Sequence, residues 1–166
     1  KDISSFLKGI SSYVGKFRTL PMLSFAVNYH FHKLNVFGYH LFNLLLHMIC
    51  GLLVYFISRF FFGFKLKRVE SPIEGKNSLD DRKINFLSLL TATIFIAHPI
   101  QVNSVTNIVQ RIEILASLFY LLSIFLFLKG SLEKGWKKLP FFLGTGFFCL
   151  CAIFSKETGF TLPIAL

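Results

Sequence analysis

His98, Asn103, Asn107, Gln110, Arg111 and Glu113 fall together between two apolar runs that are otherwise nearly free of charge. Ionisable groups are costly at membrane depth, so where they occur they mark a site or a polar vestibule. Arg111 suits an anion, because its planar fork donates bidentately and stays charged. Glu113 begins an apolar run and its side chain is too short to reach far toward headgroups, which points to a site or network role. Two residues apart on a helix, Arg111 and Glu113 do not face each other. His98 precedes Pro99, which stops a helix and leaves the imidazole as a cap or a ligand. Lys156 and Glu157 form an adjacent pair between two later apolar runs, and Arg18 stands before another, in Phe17-Arg18-Thr19-Leu20-Pro21. Each has a plainer reading: cations that snorkel to headgroups, and for Lys156-Glu157 an ordinary interfacial turn. If Arg18, Arg111 and Lys156 converge on one pocket, their mutual repulsion calls for an anionic head or for nearby carboxylates such as Glu113 and Glu157 to offset it.

Other chemistries find little support. His30, His32, His40 and His47 lack metal-ligand spacing, and neither an HExxH motif nor a Gly-rich phosphate loop is present. No metal and no cofactor are expected. Cys50, Cys149 and Cys151 lie inside apolar runs and read as small buried hydrophobes.

The elements that must position these residues follow from composition. The chain has 166 residues, 54% hydrophobic and 17% aromatic, with 16% charged, against about 25% charged in a soluble domain. A net charge of +10 would suggest nucleic acid on a soluble protein. Here the basic residues sit between apolar segments, so the expected partner is membrane lipid and not nucleic acid. The expected fold is all-α: a polytopic membrane helix bundle of about four full spans plus the start of a fifth, with short interfacial helices on the outer face. Residues 1–37 read as an outer loop with an interfacial helix, its apolar residues Met22, Phe25, Ala26 and Tyr29 at helical spacing. Residues 38–64 read as a span, with His40, Asn43 and His47 on one face. Then come a loop at 65–83, a short span at 84–98, an outer amphipathic helix at 99–112, a span at 113–129, a turn at 130–138, a span at 139–155, and an outer turn with the start of the next span at 156–166. Segments 59–83 and 129–138 hold eleven of the eighteen Lys and Arg residues, so the positive-inside rule makes them cytoplasmic. The polar patch at 98–113 and the Lys156-Glu157 turn then share the outer face. The chain begins with Lys1 and ends within an apolar run, and reads as an internal portion of a longer protein.

Three blocks in order carry a family resemblance. Arg18-Thr19-Leu20, Leu23-Ser24, Asn28-Tyr29 and His40-Leu41-Phe42-Asn43-Leu44-Leu45-Leu46-His47 form the first. His98-Pro99, Val105 and Arg111-Ile112-Glu113-Ile114-Leu115-Ala116 form the second, and Ser155-Lys156-Glu157 with Leu162-Pro163 the third. The set resembles the transmembrane and tetratricopeptide-repeat containing glycosyltransferases, relatives of the protein O-mannosyltransferases within the type C glycosyltransferase fold. Thr19 departs from the proline usual there. The resemblance implies sugar transfer from a polyprenyl-phosphate donor to an acceptor on the periplasmic or lumenal face, in a bacterial inner membrane or the endoplasmic reticulum. It also implies a catalytic aspartate upstream of this chain, so no catalytic residue is assigned here. The rival readings are a non-catalytic scaffold subunit docked in a larger membrane complex, and a transporter or flippase. Charges gathered at one face rather than at mid-depth count against the transporter.

Overall fold

The computed structural model describes residues 18–69, 77–156, 159 and 161–162. In chain order the elements are α1 (Thr19–His32), α2 (Val36–Val69), α3 (Asn77–Ala97), α4 (Pro99–Thr106), a 3-10 turn (Ile108–Gln110), α5 (Arg111–Leu132), a second 3-10 turn (Gly135–Lys138) and α6 (Leu139–Ser155). Among the described residues every regular element is helical. Helices α2 and α3 reach well into the 65–83 segment expected to be a loop; residues 70–76 lie outside the described residues.

Among the described residues three helical stretches are long and apolar enough to cross a membrane: Val36–Phe64, Ile108–Leu132 and Gly135–Ser155. The expected four full spans are reached only if α3 and α4 together count as one broken span, bent by 57° between Asp81–Ala97 and Pro99–Thr106. The expected start of a fifth span falls at residues mostly outside the described ones. Pro99 accounts for the bend. It has no N–H for the carbonyl four residues back, and its ring holds His98 out of the helical region; His98 has φ −64° and ψ 128°. Its Nδ1 accepts from the Ile100 N–H at 3.2 Å and caps α4. The outer helix expected over 99–112 is therefore in two pieces. Asn107 leaves the helical region and its Oδ1 accepts from the Val109 N–H at 3.2 Å, starting a separate 3-10 turn.

The bundle turns many large apolar residues outward and buries several polar ones beside its apolar core. Leu45, Leu52, Phe86, Leu89, Leu143 and Phe147 are exposed, whereas Asn43, Ser88, Ser123 and Ser155 are buried. In water such a surface would be an aggregation hazard; in lipid it is the solvated face, and small or polar residues mark where helices meet. The core is formed by Leu46, Cys50 and Leu53 of α2 against Ile114, Leu115 and Leu118 of α5. Helix α3 approaches α2 at Gly51, where a Cβ would lie 2.4 Å from Ile96 Cδ1, so a larger residue there would displace the Ile96 side chain. Ser123 Oγ donates to Thr145 O at 3.0 Å and ties α5 to α6. Trp136, exposed beside Lys134, Lys137 and Lys138, has the character of an interfacial anchor.

Helix α1 lies against this bundle with Met22, Phe25 and Ala26, three of the four apolar residues at helical spacing, half-buried or buried. Asn28 is also buried, and Tyr29 is exposed with Leu23, Val27 and Phe31. The partner of Asn28 is a buried cation on α5.

Candidate functional site

Arg111 opens α5 and is 0% exposed. A buried guanidinium must spend its N–H groups on acceptors. Nε donates to Asn43 Oδ1 at 2.7 Å, Nη2 to Asn28 Oδ1 and to the Tyr39 carbonyl, both at 3.1 Å, and Nη1 to the Ser24 carbonyl at 3.4 Å. The rings of Phe25 and Phe42 have their centroids 4.5 and 4.7 Å from Cζ, with Tyr39 at 5.6 Å. Ring quadrupoles and neutral oxygens hold this cation; among the described residues no carboxylate contacts it. The guanidinium is thus committed to joining α1 and α2 to the start of α5, and its fork is not presented to a ligand.

Asn43 completes the junction. With its oxygen toward Arg111, its Nδ2 donates to the Asn107 carbonyl at 3.4 Å, at the break between α4 and the 3-10 turn. One turn further along α2, His47 Nε2 lies 3.3 Å from the Ile96 carbonyl. A carbonyl only accepts, so Nε2 carries the proton. Ile96 is in the last turn of α3, where carbonyls lack intrahelical partners, and the Ile100 N–H that could have served it is engaged by His98. The shared face of Asn43 and His47 therefore satisfies the backbone freed by both helix breaks.

A second polar group joins the first turn of α5 to the end of α6. Lys156, the first residue after α6, forms an ion pair with Glu113 Oε1; the side chains are 30% and 39% exposed. Glu113 points away from Arg111 because residues two apart on a helix diverge, as expected. Beside the pair is a pocket of ≈ 260 Å³ lined by Phe95 of α3, by Glu113, Ala116, Ser117, Tyr120 and Leu121 of α5, and by Gly159 and Thr161. Gly159 folds back onto α6 so closely that a Cβ would lie 2.5 Å from Ala152 C, and its N–H donates to the Lys156 carbonyl at 2.9 Å.

Of the six candidates, the structure joins Glu113 and Lys156 at a pocket, encloses Arg111 and uses His98 as a cap. Arg18 stands exposed at the start of α1 and joins neither group; Glu157 lies outside the described residues. Sequence reasoning missed Ser117 and Tyr120. Their signal was present: Glu113, Ala116, Ser117 and Tyr120 recur at i, i+3, i+4 and i+7 on one helix face. Among the described residues no group of three or more His, Cys, Asp and Glu could hold a metal.

Apolar spanning helices with polar residues turned inward define an integral membrane protein. The sequence is homologous to part of the transmembrane and tetratricopeptide-repeat containing O-mannosyl-transferases. It is 30% identical over 150 residues to the protein O-mannosyl-transferase Tmtc3 of Drosophila melanogaster, covering 88% of this chain and 16% of that protein. It is 32% identical over 149 residues to TMTC2 of Mus musculus, covering 88% and 15%, and 30% identical over 160 residues to TMTC4 of Homo sapiens, covering 88% and 19%. The chain thus spans less than a fifth of the length of these relatives. No family model and no solved structure matches it.

Proposed function

We propose that this chain forms the phosphate-facing wall of an integral-membrane glycosyltransferase that moves mannose from a polyprenyl-phosphate carrier to an acceptor on the lumenal face of the endoplasmic reticulum. The sugar and the reaction come from the names of the relatives. The observation that carries the reading is the Glu113–Lys156 pair at the pocket mouth. An ammonium has three donors and Glu113 engages it at one oxygen, so the lipid phosphate would take a charge-assisted hydrogen bond from the same nitrogen. Glu113 would keep Lys156 directed at the pocket. Arg111 would act at one remove, by fixing the start of α5 from which Glu113 projects. His98 would hold α4 across the outer end of the bundle. Segments 59–83 and 129–138 would face the cytosol. The general base that deprotonates the acceptor hydroxyl would be an aspartate contributed from outside this chain.

The test is mannose transfer from polyprenyl-phosphate mannose by the full-length protein in nanodiscs. Lys156→Gln is expected to cut transfer by about 100-fold, in keeping with the loss of one charge-stabilising donor, while thermal unfolding moves little because the pair is half exposed. Retention of most of the activity would remove Lys156 from the donor site and favour the scaffold reading.

A further inference from the structure

We propose that the pocket beside Glu113 seats the sugar ring of the carrier-linked donor and not its lipid tail; this rests on the transfer reaction proposed above. Three observations point there. The first is charge. Glu113 lines the pocket, whereas Lys156 touches it only through the ion pair. A carboxylate in the wall repels a phosphate and accepts from the hydroxyls of a neutral sugar, so phosphate belongs at the rim on Lys156 and the ring inside. Lys156 engages Oε1, which leaves Oε2 available to a hydroxyl donor.

The second is hydroxyl supply. Hydroxyls inside helices commonly return to the carbonyl four residues back, as Thr91, Thr93 and Ser131 do here at 2.8–2.9 Å. The Ser117 hydroxyl makes no such bond among the described residues, and Tyr120 brings a phenol hydroxyl to the same helix face. They stand one and two turns below Glu113, so the polar stripe descends by about 10 Å along α5. A lipid tail has no use for such a stripe, because hydroxyls facing hydrocarbon gain nothing.

The third is size and wall chemistry. At ≈ 260 Å³ the pocket falls just below the range of about 300–1,000 Å³ usual for drug-sized ligands, a size that suits one ring. Phe95 and Tyr120 supply aromatic surface for the apolar C–H face of a pyranose, opposite in character to the carboxylate.

The experiment compares binding of two probes to the full-length protein in nanodiscs: a short-chain polyprenyl phosphate, and the same lipid carrying mannose. The wild type is expected to hold the mannosylated lipid about tenfold more tightly, which is the equivalent of one or two good hydrogen bonds. Ser117→Phe fills the pocket from an exposed position, and should abolish that preference while leaving the bare phosphate lipid bound as before. Tyr120→Phe keeps the ring, removes one hydroxyl and should weaken the preference in the same direction; it decides the matter if Ser117→Phe lowers the unfolding temperature. Equal loss of both lipids in these variants would make the pocket a tail groove and overturn the seat. Full retention of the preference in both would overturn it as well. If the wild type itself holds the two lipids alike, the carrier-linked donor proposed above fails first, and the seat with it.

Discussion

Arg111 is where residue chemistry departs most from what its type suggests. An arginine at the edge of an apolar run reads as an anion ligand, yet four of its five N–H groups are committed to Asn43, Asn28, Tyr39 and Ser24. This makes the guanidinium a junction. Arg111→Lys preserves the charge and loses the fork, and one ammonium cannot span acceptors on α1 and α2 together. Each buried acceptor left without a donor costs about 1–3 kcal/mol. Arg111→Lys should therefore lower the thermal unfolding midpoint in detergent and make α1 more susceptible to limited proteolysis. An unchanged midpoint and an unchanged cleavage pattern, with lost lipid binding, would return Arg111 to the ligand. The importance of Arg111 was legible in the sequence, but its partners were not: Asn28 lies 83 positions away, and an asparagine inside a mixed helix gives no sign of which cation it will meet. Glu113 and Lys156, 43 positions apart, were each recognised as candidates, and only folding reveals that they answer one another.

At the scale of elements, the spans could be read from apolar runs and the bend from Pro99, because both effects are local. The break at Asn107 is equally local, and its signal was an asparagine able to cap with its own side chain; the apolar spacing of Val102, Val105 and Val109 hid it by continuing a helical pattern through the break. In α1 the apolar spacing marked Met22, Phe25 and Ala26, which turn inward, but it gave no sign that Asn28 would be buried or that Tyr29 would turn outward. The breaks are tolerable because α2 brings polar groups to them. His47→Leu should leave the Ile96 carbonyl without a partner, at about 1–3 kcal/mol, and lower the unfolding midpoint by several degrees. His47→Gln, which can still donate, should recover part of that loss. Equal midpoints for the Leu variant and the wild type would show that the bend stands on Pro99 alone.

For the whole molecule, the proposed arrangement needs α4, the start of α5 and the Lys156 turn to share one side of the membrane, with the basic ends of α2 and α5 on the other. Single cysteines placed at Asn103 and at Lys134, in a protein lacking Cys50, Cys149 and Cys151, should react with an impermeant maleimide from opposite sides. Labelling of both from one side would dismantle the shared outer face. The most direct measurement of the central claim is a charge exchange at the pocket mouth. Glu113→Lys and Lys156→Glu each place like charges together and should both destabilise the protein and abolish mannose transfer from polyprenyl-phosphate mannose. The double variant restores the ion pair, and with it the unfolding midpoint, but puts a carboxylate where the phosphate is to be held. The account predicts a stable protein with no transfer. A stable double variant that transfers mannose at the wild-type rate would show that the pair only fastens α5 to the end of α6, and would contradict the assignment of a phosphate-binding Lys156.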